Sequence, residues 1–211
     1  ETSAIKDGGG YILNGEKAIV HNAETADTLI VSARSSGATT DHDGVTLFLV
    51  DPAAKGVTLR SYPTIDGLRA SEVTLEAVQV GGEAILGTLG GAMPVIEAVV
   101  DRACVLLCAE AAGAMDAAVT LTVDYMKTRE QFGRPIGTFQ VLQHRMADML
   151  MEYEQSVSMC YLATIKLDED DATRKKNVSA AKVRIGQAAR FIGQAAIQTH
   201  GGMGMTDELA V

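Results

Sequence analysis

The spacing of apolar residues changes once along the chain, close to residue 90. Before that point, β-branched and aromatic runs alternate with polar clusters; after it, apolar residues recur every three or four positions. In the first part, Tyr11-Ile12-Leu13, Asn14-Gly15 and Glu16 to His21 read as strand, tight turn and strand, because Asn-Gly is a strong hairpin signal. Thr28 to Arg34 and Val45 to Asp51 are β-branched runs around a loop rich in Gly, Ser, Thr and Asp. Val57 to Tyr62 and Ala70 to Val80 continue the series. No helical stretch separates these runs, so an antiparallel sheet or barrel is expected over residues 1–88.

From about Ala92 the period is helical. Pro94 suits the first turn of a helix that runs on to Thr128, and Ala109, Ala111, Ala112, Gly113 and Ala114 let a neighbour approach closely. A second helix carries Leu142, Met146, Met149, Tyr153, Val157, Cys160, Thr164 and Leu167 on one face. A polar break from Asp168 to Lys176 follows. A third helix aligns Val178, Ile185, Ala189, Ile192 and Ala196 and ends at Gly201-Gly202, a natural C-cap. The expected fold class is α+β: a partial β domain over 1–88, then an up-down helical bundle over 92–211 that is one member short. The chain starts in a loop-like segment and stops at Leu209-Ala210-Val211 without punctuation, so it reads as an excised piece.

A net charge of −9 with scattered Lys and Arg argues against nucleic acid or an anionic lipid surface as partner. No apolar run approaches the roughly 20 residues that cross a bilayer, so no membrane association is expected. Glu1-Thr2-Ser3 lacks the features of a signal peptide. Cys104, Cys108 and Cys160 cannot all pair and have no zinc-ligand spacing. They read as small buried hydrophobes in a reducing compartment, a reactive thiol being the alternative, and no metal site is expected.

Two segments break the bundle pattern. Arg129-Glu130-Gln131-Phe132-Gly133-Arg134-Pro135-Ile136-Gly137, leading to Phe139-Gln140, holds far more than a helix–helix turn needs. Its glycines allow positive φ or close approach, and Arg129 at a helix end can fork onto a phosphate. The plainer reading is a capped loop with Phe132 and Phe139 packed inward. Gln198-Thr199-His200-Gly201-Gly202-Met203-Gly204 has three glycines in four residues. Amides around such a turn can receive oxyanions, although a glycine cluster after a helix is usually a cap.

Taken together, R-E-Q-F-G-R-P-I-G-x-F-Q, H-R-M-A-D-M and Q-x-H-G-G-M-G resemble the acyl-CoA dehydrogenase family. So do G-Y-I-L-N-G-E-K and L-R-A-S-E with E-x-V-x-V in the β half, in order and spacing over the whole chain. The resemblance implies part of the central β domain and a truncated C-terminal helical domain, with the family's N-terminal helical domain missing. It implies FAD as cofactor, Arg129 on the pyrophosphate, Phe132 against the cofactor and Gln140 on the adenosine side. The segment Gln198, Thr199, His200, Gly201 and Gly202 would lay its backbone along the adenine end. Because these contacts reach FAD held mainly by a neighbouring subunit, a homodimer or homotetramer is implied.

The implied reaction is α,β-dehydrogenation of an acyl-CoA thioester, with electrons passed to an electron-transferring flavoprotein, as in fatty acid metabolism. In one branch of the family the base lies ten residues before the position of Gly113, where this chain has Ala103. In the commoner branch it lies beyond Val211, so no catalytic residue is assigned and the piece alone is expected to be inactive. Arg102, two residues out of register, is the nearest candidate for an Arg that orders base and substrate. Glu110 is expected to be paired within the bundle, His144 and His200 to serve packing or surface roles, and Met203 and Met205 to fill core gaps. The strand Lys17 to Asn22 corresponds to one that backs the flavin ring, and Ile19 and His21 depart from the usual aromatic and Thr. His21 is either a flavin neighbour or a surface residue. Two alternatives stand beside the main reading: an oxygen-using flavoenzyme of the same fold, and a non-catalytic subunit completing a partner's FAD site. Bacterial cytoplasm and mitochondrial matrix both fit.

Overall fold

The computed structural model describes residues 2–209. Its β portion is one seven-stranded sheet built from β1 (Ser3–Asp7), β2 (Gly10–His21), β3 (Leu29–Arg34), β4 (Val45–Val50), β5 (Val57–Pro63), β6 (Arg69–Gly81) and β7 (Ile85–Leu86). The order is β5-β6-β2-β1-β3-β4-β7, so β5 and β7 are edges and the sheet is not closed among the described residues. All neighbours are antiparallel except β1 and β3, which meet in parallel at Ser3 and Arg34. The sheet is therefore mixed. Alternation places Leu29, Val31 and Ala33 of β3 and Val73, Leu75 and Val78 of β6 inward, around fully buried Leu13 and Phe48. The Tyr11 and Phe48 rings pack 5.3 Å apart across that core.

The hairpin expected at Asn14-Gly15 is not formed. β2 runs straight through it, because Ser3–Asp7 takes up the pairing with residues 10–14. Asn14 is instead spent on a bulge against β6, where its side-chain oxygen accepts from the Ala77 amide at 2.8 Å. The local signal was correct as a marker of irregular backbone and wrong about its kind. A second register shift falls between Lys17 and Val20, and there Ile19 sits at φ 55 with 60% of its surface exposed. A β-branched residue in that region carries about 1–2 kcal/mol of strain. Beside it, the Tyr62 hydroxyl donates to Glu72 at 2.8 Å.

Between β3 and β4 the polar loop is organised by one side chain. Arg34 donates to the carbonyls of Ser36 (3.2 Å), Thr39 (3.3 Å), Asp41 (2.8 Å) and Asp43 (2.9 Å).

Three helices follow: α1 (Met93–Thr128), α2 (Gln140–Ile165) and α3 (Asp171–His200). The chain divides into two compact units between Glu97 and Ala98. The helical unit has its own core of Val105, Cys108, Met115, Met149, Ile185 and Ile192, among others. Burial pushes the Cys108 thiol above its ordinary pKa.

The polar break before the third helix is shorter than the sequence suggests. Asp170 accepts from the amides of Ala172 and Thr173, both at 3.1 Å, and starts α3 two turns early. Arg174 in the second of those turns is buried, because it donates to Asp101 of α1 and to Asp171.

α1 also corrects the expectation about apolar length. An 18-residue stretch of it has a mean hydropathy of 1.6, so by length and composition this one helix could cross a bilayer. Asp101, Arg102, Glu110 and Asp116 interrupt any continuous apolar run but not the average. Only 28% of that stretch is buried, and Val95, Val99, Val100, Leu106, Leu107 and Leu121 of α1 are exposed.

Candidate functional site

The first corner begins where α1 ends. The Arg129 amide donates to the Tyr125 carbonyl at 2.8 Å, closing the last turn, and the Ile136 amide donates to the Arg129 carbonyl at 2.9 Å. Between them lies a small hairpin of β8 (Glu130–Gln131) and β9 (Arg134–Pro135). Its two turn residues, Phe132 and Gly133, have φ 57 and 76, the pattern of a tight turn whose twist matches its strands. Phe132 is 90% exposed, so it is not packed inward. Its ring meets Phe139 edge-on at 6.1 Å, and Arg134 lies 4.2 Å over the Phe139 ring. Gly137 is required by proximity: a Cβ there would sit 2.9 Å from the Met126 carbonyl oxygen.

Arg129 is exposed and its guanidinium forms no ion pair or hydrogen bond with the described residues. Gln140, the first residue of α2, is exposed and equally unengaged, whereas Gln143 donates to the Gly137 carbonyl at 2.8 Å.

The second corner follows α3. Gly201 leaves the helix at φ 60, and a short turn of 3-10 helix runs from Gly201 to Met205. Gln198 is exposed; Thr199 and His200 are buried. The Thr199 hydroxyl donates to the Ala195 carbonyl at 2.7 Å, and His200 Nδ1 lies 2.9 Å from the Ala196 carbonyl. A carbonyl can only accept, so Nδ1 carries the proton. Both side chains face inward, which leaves only backbone at these two positions for a ligand. Gly201 and Gly202 are exposed, and a Cβ on either would meet nothing within 4 Å.

The corners are neighbours. The Tyr125 ring packs on His200 with centroids 4.3 Å apart, and its hydroxyl donates to the His200 carbonyl at 3.4 Å. An unpaired cation thus stands at one corner and a bare glycine turn at the other, where the Gly201 amide donates to the Gln198 carbonyl and the backbone is open to approach.

From Gln198 a groove of about 440 Å³ runs between α2 and α3, lined also by Val141, His144, Arg145, Asp148 and Phe191. Arg145 and Asp148 fall within the H-R-M-A-D-M motif but were given no role from the sequence. Their signal was available: His144 and Asp148 on α2, and Gln194 and Gln198 on α3, are polar pairs at helical spacing that line the groove.

Other candidates resolve differently. Arg102 pairs with exposed Asp168 at 3.4 Å, and Asp101 is occupied by Arg174. Ala103 is exposed and has no acid–base group. Glu110, expected to be paired, is exposed and has no partner among the described residues, since its part of α1 faces outward. Met203 (48% exposed) and Met205 (78%) do not fill the core, because the 3-10 turn carries them outside it. Cys104 and Cys160 are half-buried against the helical core. His21 is exposed at the end of β2.

Comparison with known families decides the lineage. Residues 1–78 match the model of the acyl-CoA dehydrogenase middle domain, and residues 90–211 match that of the acyl-CoA dehydrogenase C-terminal domain. The chain belongs to the acyl-CoA dehydrogenase family. It is 33% identical over 204 residues to a mitochondrial isovaleryl-CoA dehydrogenase of Solanum tuberosum, covering 95% of this chain and 49% of that protein. Among solved structures, butyryl-CoA dehydrogenase from Megasphaera elsdenii superposes with a TM-score of 0.89 at 28% identity, covering 99% of this chain and 55% of that one. An FAD complex of PigA does so with a TM-score of 0.89 at 29% identity, covering 99% and 55%. The chain spans about half the length of the curated relatives it matches. Membership of the acyl-CoA dehydrogenase family accounts for the mixed sheet followed by helices, and for the order of the motifs along both.

Proposed function

We propose that this chain contributes to a flavin-dependent acyl-CoA dehydrogenase, with its two helical corners holding the diphosphate of FAD for an adjoining protomer. The observation that carries this reading is the exposed, unpaired Arg129 beside the open Gly201-Gly202 turn. A diphosphate with two negative charges is matched by a forked cation, which Arg129 supplies, and by backbone it can approach closely, which the bare Gly201-Gly202 turn allows. Phe132 offers an exposed ring to the cofactor, and Gln140 and Gln198 offer unengaged amides. When bound, FAD supplies the hydride-accepting chemistry of α,β-dehydrogenation. The corner residues bind and orient; none acts as acid or base. In this reading the assembly is a homo-oligomer, its substrate an acyl-CoA thioester and its oxidant an electron-transferring flavoprotein, in a bacterial cytoplasm or a mitochondrial matrix.

The test is FAD titration of the full-length apoprotein, wild type against Arg129→Ala. Charge-assisted hydrogen bonds contribute about 1.5–3 kcal/mol, so a loss of roughly 10- to 100-fold in affinity is expected without a lower Tm. A wild type that stays colourless with added FAD refutes the reading. Anaerobic bleaching by acyl-CoA followed by slow reoxidation in air supports a dehydrogenase; fast reoxidation supports an oxygen-using enzyme.

Ala103 and the strained Ile19 favour one further reading, a subunit that completes a partner's FAD site without catalysing the reaction itself. A purified homo-oligomer that retains FAD yet is not bleached by any acyl-CoA thioester would select it.

A further inference from the structure

We infer that Tyr125 is a positioning residue which, clasped to His200, sets the spacing of the two corners that the dinucleotide must bridge. This rests on the FAD reading above and deepens it. Tyr125 is attached to both corners at once. Its carbonyl accepts the Arg129 amide at 2.8 Å and so fixes the turn from which Arg129 projects. Its hydroxyl donates to the His200 carbonyl at 3.4 Å, immediately before the chain bends at Gly201. Its ring covers the imidazole at 4.3 Å and an interplanar angle of 37°.

His200 is the other half of the clasp. It is 3% exposed, and its Nδ1–H is committed to the Ala196 carbonyl at 2.9 Å, so the ring is not offered to a ligand. The imidazole acts as a wedge, held by α3 on one edge and by the Tyr125 face on the other. At Gly201 and Gly202 the turn carries no side chain and is held by backbone alone, the Gly201 amide donating to the Gln198 carbonyl and Gly204 lying close on the Ile197 backbone. A diphosphate that needs the guanidinium and the turn amides together binds only when their separation is held, and misplacement by about 1 Å is enough to spoil such a site.

The experiment compares Tyr125→Leu, Tyr125→Phe, Arg129→Ala and the double variant Tyr125→Leu/Arg129→Ala in the full-length protein. FAD affinity is measured well below each variant's Tm. Tyr125→Leu is expected to bind FAD about tenfold more weakly, and Tyr125→Phe, which keeps the ring, about threefold. Because Tyr125 acts through the geometry that Arg129 uses, the double variant should be within about twofold of Arg129→Ala alone. Multiplying losses would mean general loosening and overturn the clasp, as would wild-type affinity in both Tyr125 variants. If Tyr125→Leu does not fold, wild-type affinity in Tyr125→Phe overturns it. A silent Arg129→Ala removes the FAD reading itself, a separate and recognisable failure that takes the clasp with it.

Discussion

Arg174 of α3 donates to Asp101 of α1 across 2.9 Å, and with its side chain 9% exposed it is the most deeply placed cation of the ion pairs in the helical unit. The second carboxylate, Asp171 at 2.8 Å, lies on the outer side of the same guanidinium. Hydrogen bonds to both acids raise the Arg174 pKa, which keeps the guanidinium charged.

Removing Arg174 leaves the largely buried Asp101 carboxylate without its cation, which destabilises more than loss of an exposed pair. Arg174→Ala is expected to lower Tm well beyond Lys127→Ala, which breaks an exposed bridge to Asp124 on a single helix. The double replacement Asp101→Leu/Arg174→Met should recover much of the loss. Equal Tm shifts for the two single variants would mean that Arg174 does not hold α3 to α1.

Phe132 occupies the first position of a turn whose backbone favours Asn or Gly, while its ring is 90% exposed. Phe132→Asn therefore relieves about 1 kcal/mol of backbone strain and sacrifices almost no burial. Urea melts should show the gain. FAD retention should fall in the same variant, because the exposed ring is lost. A variant that is both less stable and unchanged in FAD binding would assign the ring to folding.

Gly137 allows the loop to pass against the end of α1. In Gly137→Ala the new Cβ would lie 2.9 Å from the Met126 carbonyl oxygen, and backbone must shift. A destabilisation of about 1–3 kcal/mol in chemical denaturation is expected. A neutral outcome would show that the corner can slide along α1.

The N-cap of α3 sets an acid response. The Thr173 hydroxyl and the Thr173 and Ala172 amides hold the Asp170 carboxylate below its ordinary range. A group with a depressed folded pKa contributes stability that is fully present above its unfolded value, about 3.9, and is lost as pH falls through the lower folded value. Thermal melts from about pH 5 down to pH 2 should therefore fall less steeply for Asp170→Asn than for wild type. Parallel curves would remove Asp170 from the acid response.

Much of this fold was legible because each helix and most strands repeat one burial period. The end of α1 at Thr128 and the glycine stop of α3 could be read directly, since local residues dictate both. Three features could not. Asn14-Gly15 looked like a turn because hairpin chemistry and bulge chemistry share the same residues, and only the pairing of β1 distinguishes them. The start of α3 was hidden in a polar run because Arg174 is buried against Asp101 of α1, outside any local window. The outward positions of Glu110, Met203 and Met205 follow from which face each segment presents, which composition does not encode. At the candidate site, the motifs indicated the two corners, but not that His200 turns inward or that Tyr125 joins them.

Arg34 carries a practical consequence for anyone handling the protein. An exposed loop of Ser, Gly, Thr and Asp after an arginine looks like an inviting place for trypsin to nick. Yet the side chain the protease must draw into its specificity pocket is already tied down by the carbonyls of Ser36, Thr39, Asp41 and Asp43. Digestion of the native protein should spare the Arg34-Ser35 bond until unfolding frees it. Replacing Arg34 with Lys, which cannot fork to several acceptors, should turn the same loop into an early cleavage point.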